Sequence, residues 1–193
     1  MRVTLFASET KASGHRLDVT WPELCTMLSE FISSPTKTGQ RGWSPAIFRD
    51  DHRCKVNVEE LSCLVLDIDT PDLPSLPEGL AWHAHSTFRG RWRLVVQLSR
   101  PYLPSEHERL RRAVMAEYGI DETLGPDEAK DSSRFYFGPC TPPVLLPRTA
   151  GGQGAPLDVD DFLATVPELP QVQTPAPVEP RAPVEPLNGP VDL

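Results

Sequence analysis

"LSCLVLDID", Leu61 to Asp69, decides how this chain is read. An unbroken apolar run of this length predicts a strand buried on both faces. Side chains alternate along a strand, so Asp67 and Asp69 leave its end on one side, about 7 Å apart at the backbone. Two anions that close repel unless something positive lies between them, and a divalent cation with oxygen ligands is the usual answer. Two Mg²⁺ or Mn²⁺ ions about 4 Å apart would activate an attacking oxygen and stabilise a leaving phosphate. A second reading stays open, in which Asp69-Thr70-Pro71-Asp72 starts a turn. It explains Asp69 better than Asp67.

Outward from this strand, a proline-rich connection over 71–79 leads to "LAWHAHSTF", then Arg89-Gly90, then "RWRLVVQL". Alternation in the last run puts Trp92, Leu94, Val96 and Leu98 on one face and Arg91, Arg93, Val95 and Gln97 on the other, which predicts a hairpin. Upstream, Thr20 and Glu23 form a capping box before Leu24, Leu28 and Phe31, at helical spacing. Residues 34–54 read as a long basic loop. Downstream, Pro104 and Ser105 with Glu108 predict a second capped helix that Gly119 closes. After a polar loop, "RFYF" at 134–137 predicts a short strand stopped by Gly138-Pro139. This order suits an α+β domain, with a mainly antiparallel sheet and its helices on one side.

The formal charge of −8 over 193 residues is unevenly spread. From Ala150 onward there are seven acids and one base, which leaves 20 acids against 18 bases before it. Of those 18 bases 14 are arginine, and Arg89, Arg91, Arg93, Arg100, Arg109, Arg111 and Arg112 crowd into one region. Arginine's planar fork suits phosphates and stacked bases; a solvated surface is the alternative. Cys25, Cys54, Cys63 and Cys140 lack C-x-x-C spacing, and no signal peptide or long apolar run is seen. Reduced thiols, a cytoplasmic location and no membrane association are expected. From 167 to 193 the chain holds eight prolines and repeats "APVEP" at 176–180 and 182–186. Such a tract cannot bury apolar area, so a folded domain over 1–166 and an extended tail over 167–193 are expected. A linker of this kind is expected to lead to something further, such as a helicase domain or partner.

Three kinds of enzyme have a pattern that can be set against these residues. A haloacid-dehalogenase-type phosphatase places threonine four positions after its first aspartate, whereas here Thr70 is third and Pro71 fourth. A replication nickase of the His-hydrophobe-His kind would use His83 and His85 with Tyr118 as nucleophile, and would leave Asp67 and Asp69 idle. The third rests on likeness. "VNVEELSCLVLDID", "HAHST", "RWRLVVQLSRPYLPSE" and "DEAKDSSRFYFGP", in that order, resemble the catalytic domain of the archaeo-eukaryotic primase superfamily, in its phage and plasmid primase-polymerase form. The resemblance spans roughly residues 45–140.

It implies a fold around a sheet related to RNA-recognition modules, and a site of three acids and a histidine. Asp67 and Asp69 would fill the D-x-D motif and hold the metals. The third acid should precede the "RFYF" strand, where Asp127 matches best, Asp131 competes closely and Asp121 is more distant. The family's second motif reads Ser-x-His; here Ser86-Thr87 is followed by Phe88, so His85, or else His83, would take over. His83 reads equally well as a core histidine. Arg93, beside Arg91, and Arg134 resemble the family's triphosphate clamps, and Ser86 would offer backbone donors to the nucleotide. The loop cations Lys37, Arg41, Arg49, Arg53 and Lys55 with Trp43 would track a template strand, and Arg109, Arg111 and Arg112 would do so too unless they form a solvated helix face. The resemblance implies a DNA primase-polymerase acting on single-stranded DNA with nucleoside triphosphates and Mg²⁺ or Mn²⁺. The alternatives are an inactive domain of the same fold that binds single-stranded DNA or recruits a helicase, and the nickase.

Overall fold

Residues 61–68 belong to an interior strand of a central five-stranded sheet, which the chain reaches after laying down most of a smaller one. A computed structural model describes residues 1–120 and 131–167. The N-terminal half contains strands β1 (Arg2–Phe6) and β2 (His15–Asp18), helix α1 (Trp21–Met27), and strands β3 (Ile32–Ser33), β4 (Gly42–Ser44), β5 (Ala46–Phe48) and β6 (Val58–Ile68). Strands β7 (Trp82–Ser86) and β8 (Trp92–Tyr102) follow, then helix α2 (His107–Glu117). Beyond the gap lie β9 (Tyr136–Phe137), β10 (Cys140–Thr141), β11 (Thr149–Gly152) and helix α3 (Val159–Thr165).

The central sheet has the order β11-β7-β8-β6-β5, with every pairing antiparallel. The smaller sheet, β2-β1-β4-β9, is also antiparallel; only the two-residue pair β10-β3 is parallel. The molecule is thus α+β and mainly antiparallel. Leu64, Leu66, Leu94, Val96 and Ala84 pack on one face of the central sheet with Leu110 and Val114 of α2 and Val159 and Leu163 of α3. Cys63, Val65 and Val95 pack on the other with Val3, Leu24, Leu28 and Trp43. Burial on both faces explains the unbroken apolar run of β6.

Two expectations need correcting. Helices α2 and α3 share a face, but α1 lies with the smaller sheet on the opposite one. Residues 34–54 are not a loop throughout: Gly42–Ser44 and Ala46–Phe48 are wholly buried strands. Three-residue strands between Gly and Pro are too short to show a period.

The Thr20 capping box forms as expected, with Thr20 Oγ1 accepting from the Glu23 amide and Glu23 from the Thr20 amide. The second box does not form. Helix α2 starts at His107 after Glu106, which has no side-chain cap contact with it. Glu106 instead accepts from the Leu103 amide and from Arg100, and Glu108 pairs with Arg111 and Arg112. Gly119, at φ +62°, ends the helix as predicted. Among the described residues no helix is long and apolar enough to cross a membrane. Apart from Pro167, the tail expected over 167–193 lies outside the described residues.

Candidate active site

Strand register builds the centre of the site. Asp67 of β6 stands opposite Arg93 of β8, and Arg93 stands opposite His85 of β7. Their chain neighbours Leu66, Leu94 and Ala84 point into the α2–α3 core, so alternation turns Asp67, Arg93 and His85 to the other face. Arg93 Nε donates to Asp67 Oδ1 at 2.7 Å, and Arg134 Nη2 donates to Oδ2 at 3.0 Å. Arg93 also donates to the Phe137 carbonyl at 3.0 Å. The Tyr136 ring underlies both guanidiniums, at 4.7 Å from Arg93 and 5.6 Å from Arg134. Stacking on an aromatic face suits arginine's planar cation.

Charge follows from this packing. Burial alone would raise the Asp67 carboxyl, but Arg93 and Arg134 outweigh it and hold the group below the usual carboxylate range. Burial, then the positive charge of Arg93, pushes the His85 imidazole down to about 3. His85 is therefore neutral near pH 7. Its Nδ1 lies 3.1 Å from the Ser86 carbonyl, which can only accept, so Nδ1 carries the proton and Nε2 the lone pair. That Nε2 is buried with no hydrogen-bond partner among the described residues.

A cleft of about 360 Å³ opens over this centre. Asp67, Asp69 and His85 line it together with Lys37, Arg89, Arg91, Arg93 and Arg134. Among the described residues, five cations against two carboxylates leave an excess of positive charge, which suits a polyanionic ligand. Phe88, Trp92 and Phe137 supply aromatic wall. A neighbouring hollow shares Lys37, Arg93, Arg134 and Phe137 and adds Arg53, Phe135 and Asp131.

No family model matches the chain, and no curated protein matches it. Among solved structures, the AEP domain of the primase-polymerase of cyanophage S-2L is similar at 12% identity. That similarity covers 86% of this chain and 88% of that one, with a TM-score of 0.47.

The structure thus brings Asp67, Asp69, His85, Arg91, Arg93 and Arg134 to one cleft. Asp131 lies in the adjoining hollow and accepts from the Ser133 amide and hydroxyl at 2.9 and 2.7 Å. Asp127 and Asp121 lie outside the described residues. Ser86 is not among the cleft-lining residues: it is buried, its amide donates to the Arg148 carbonyl, and its hydroxyl accepts from the Arg148 amide. Alternation turns it away from His85. His83 shares the face of His85, with ring centroids 6.5 Å apart, but opens onto a different cavity.

The template-tracking set is broken up. Trp43 is 3% exposed and belongs to the core, so no base can stack on it. Lys37 lines the cleft, and the Arg53 guanidinium lies against the rings of Phe6 and Phe135. Arg111 is buried with Glu108 and Met115, and Arg109 donates to the Leu163 carbonyl. These helix arginines brace α2 on the face away from the cleft. Tyr118 packs near Phe162 on that same far face, so the central sheet separates it from His83 and His85. That placement runs against the nickase arrangement.

The Tyr136 platform escaped the sequence reading. Its signal was the alternation within "RFYF", which puts Tyr136 on the opposite side from Phe135 and Phe137.

Among the described residues no three His, Cys, Asp or Glu side chains gather as a complete metal site. The donors present nevertheless suit a hard divalent cation. Each Asp67 oxygen accepts one guanidinium hydrogen and keeps a further lone pair, and Asp69 is exposed in the same cleft.

Proposed function

We propose that this chain is a nucleotidyltransferase of the primase-polymerase kind. It would extend or initiate a nucleic-acid strand on single-stranded DNA from nucleoside triphosphates. One observation carries the reading: two carboxylates and a neutral imidazole share a cleft that five cations surround. A triphosphate and a divalent cation are the ligands whose charges such a site balances.

Asp67 and Asp69 would hold Mg²⁺ or Mn²⁺, with Asp127 or Asp131 as the expected third acid. Bound there, the cation would supply charge neutralisation for attack of a 3′-oxygen on the α-phosphate. Arg89, Arg91 and Lys37 stand on the cleft wall to bind phosphate oxygens. Arg93 and Arg134 orient the Asp67 carboxylate and add positive charge beneath the phosphates. A triphosphate arriving beside Nε2 would raise the proton affinity of His85. A helicase domain or partner beyond the proline-rich tract belongs to the same proposal.

A second reading, a domain that binds single-stranded DNA without catalysis, is favoured by one feature. Both Asp67 oxygens already have cationic partners, and Phe88 lines the cleft where the family carries histidine.

The deciding assay incubates the protein with single-stranded DNA, with and without an annealed primer, plus labelled nucleotides and Mn²⁺ or Mg²⁺. Product that needs metal and Asp69 establishes the polymerase, and product without primer makes it a primase. DNA binding that persists in chelator, with no product under any condition, sinks the catalytic reading in favour of the second.

A further inference from the structure

A second cavity, of about 450 Å³, opens where the start of α1 meets β7 and β11. Trp21, Trp82 and His83 line it, together with Gly151, Gly152 and Gly154, and among the described residues no Asp, Glu, Lys or Arg does. An uncharged lining disfavours phosphate as the ligand, while two indoles offer flat faces to a ring. His83 is 6% exposed, and its Nε2 lacks a hydrogen-bond partner among the described residues. Its Nδ1 lies 3.9 Å from where a Gly151 Cβ would stand.

The glycines are required here. A Cβ on Gly152 would run into the Trp82 indole, and one on Gly154 would run into the Gly79 carbonyl. These glycines let β11 and the turn after it pack directly on Trp82 and on the Gly79 carbonyl, which holds the Trp82 indole in place beside the cavity. Gly151 and Gly152 belong to β11, an edge strand whose one neighbour is β7. One side of that strand keeps peptide groups that the sheet does not use.

We propose that this cavity binds a nucleobase, stacked on an indole and hydrogen-bonded by His83 and the Gly151–Gly154 backbone. His83 and His85 lie two residues apart on one face of β7, with ring centroids 6.5 Å apart. The base comes either from a nucleic-acid strand or from a free nucleoside, and both present the same ring. The inference goes beyond the proposed nucleotidyl transfer and stands on this cavity alone.

The test follows the four indole N–H resonances of the full chain by NMR, assigned by single Trp→Phe substitutions. The probes are adenosine, thymidine, a short mixed-sequence single-stranded oligonucleotide and an abasic oligonucleotide of equal length. The Trp21 and Trp82 signals are expected to move with a base-bearing probe, while that of buried Trp43 stays. Movement with nucleosides assigns a mononucleoside site, and movement with the base-bearing oligonucleotide alone assigns a strand. Trp21→Ala should weaken that binding at least fivefold, and Trp21→Phe should largely preserve it. Unmoved Trp21 and Trp82 signals, or equal movement with the abasic oligonucleotide, overturns the proposal. Trp92, which lines the catalytic cleft, reports triphosphate binding separately, so failure of one site is not mistaken for failure of the other.

Discussion

Asp67 and Arg93 face each other across β6 and β8, joined by a 2.7 Å hydrogen bond between side chains only 12% and 9% exposed. With Arg134 on the other carboxylate oxygen, Asp67 has a structural role besides any catalytic one. Asp67→Ala therefore disturbs the fold as well as the site.

Asp67→Ala leaves two guanidiniums close together without their anion, and removing one partner of a buried pair typically costs about 3–5 kcal/mol. A loss of that order is expected in urea unfolding, alongside loss of incorporation. Asp69→Asn, at an exposed position, should change stability by less than about 0.5 kcal/mol yet also abolish incorporation. Full activity in Asp69→Asn would remove it from the metal site.

Acid should destabilise the protein well above the carboxylate range. His85 is held at about 3 in the folded chain against an ordinary 6.5. Above pH 6.5 neither state binds the proton and nothing is lost. Below it the unfolded chain takes up a proton that the folded chain refuses, so stability falls by about 1.4 kcal/mol per pH unit until about pH 3. His83, lowered chiefly by burial, acts in the same direction. Asp67, held low, contributes stability that is complete above its unfolded value near 3.9 and disappears as pH falls through its lower folded value. Urea midpoints measured from pH 7 to 4 should fall steeply, and His85→Asn should flatten the slope.

Arg91 is exposed on the cleft wall. Arg91→Ala is therefore expected to leave the unfolding midpoint in place and weaken triphosphate binding about tenfold, or about 1.4 kcal/mol. Calorimetric titration with a non-hydrolysable triphosphate at two salt concentrations checks this, since the deficit should narrow as salt screens the wild-type interaction.

Tyr118→Phe should incorporate nucleotides at the wild-type rate, and the wild type should form no denaturation-resistant adduct with single-stranded DNA. A covalent adduct lost in Tyr118→Phe would revive the nickase.

What the sequence determined by itself was local. Alternation and apolar runs specify β6, the β7–β8 hairpin and the side of the sheet on which Asp67 and Arg93 lie, because a strand's period of two is written in consecutive residues. The Thr20 cap and the Gly119 stop are legible for the same reason, since each acts within one turn. The tertiary structure decided what depends on distant partners. Arg134 reaches Asp67 across 67 positions, Trp43 is drawn into the core by α1 and β1, and Arg111 turns inward to Glu108 and Met115. The Ser105–Glu108 box yields to Arg111 and Arg112, which take Glu108, while Arg100 holds Glu106 on one side and Asp160 on the other. A cation in the sequence carries no mark of which carboxylate, ring or carbonyl it will meet. That choice is made only when the two sheets close over each other and the competing partners are desolvated together.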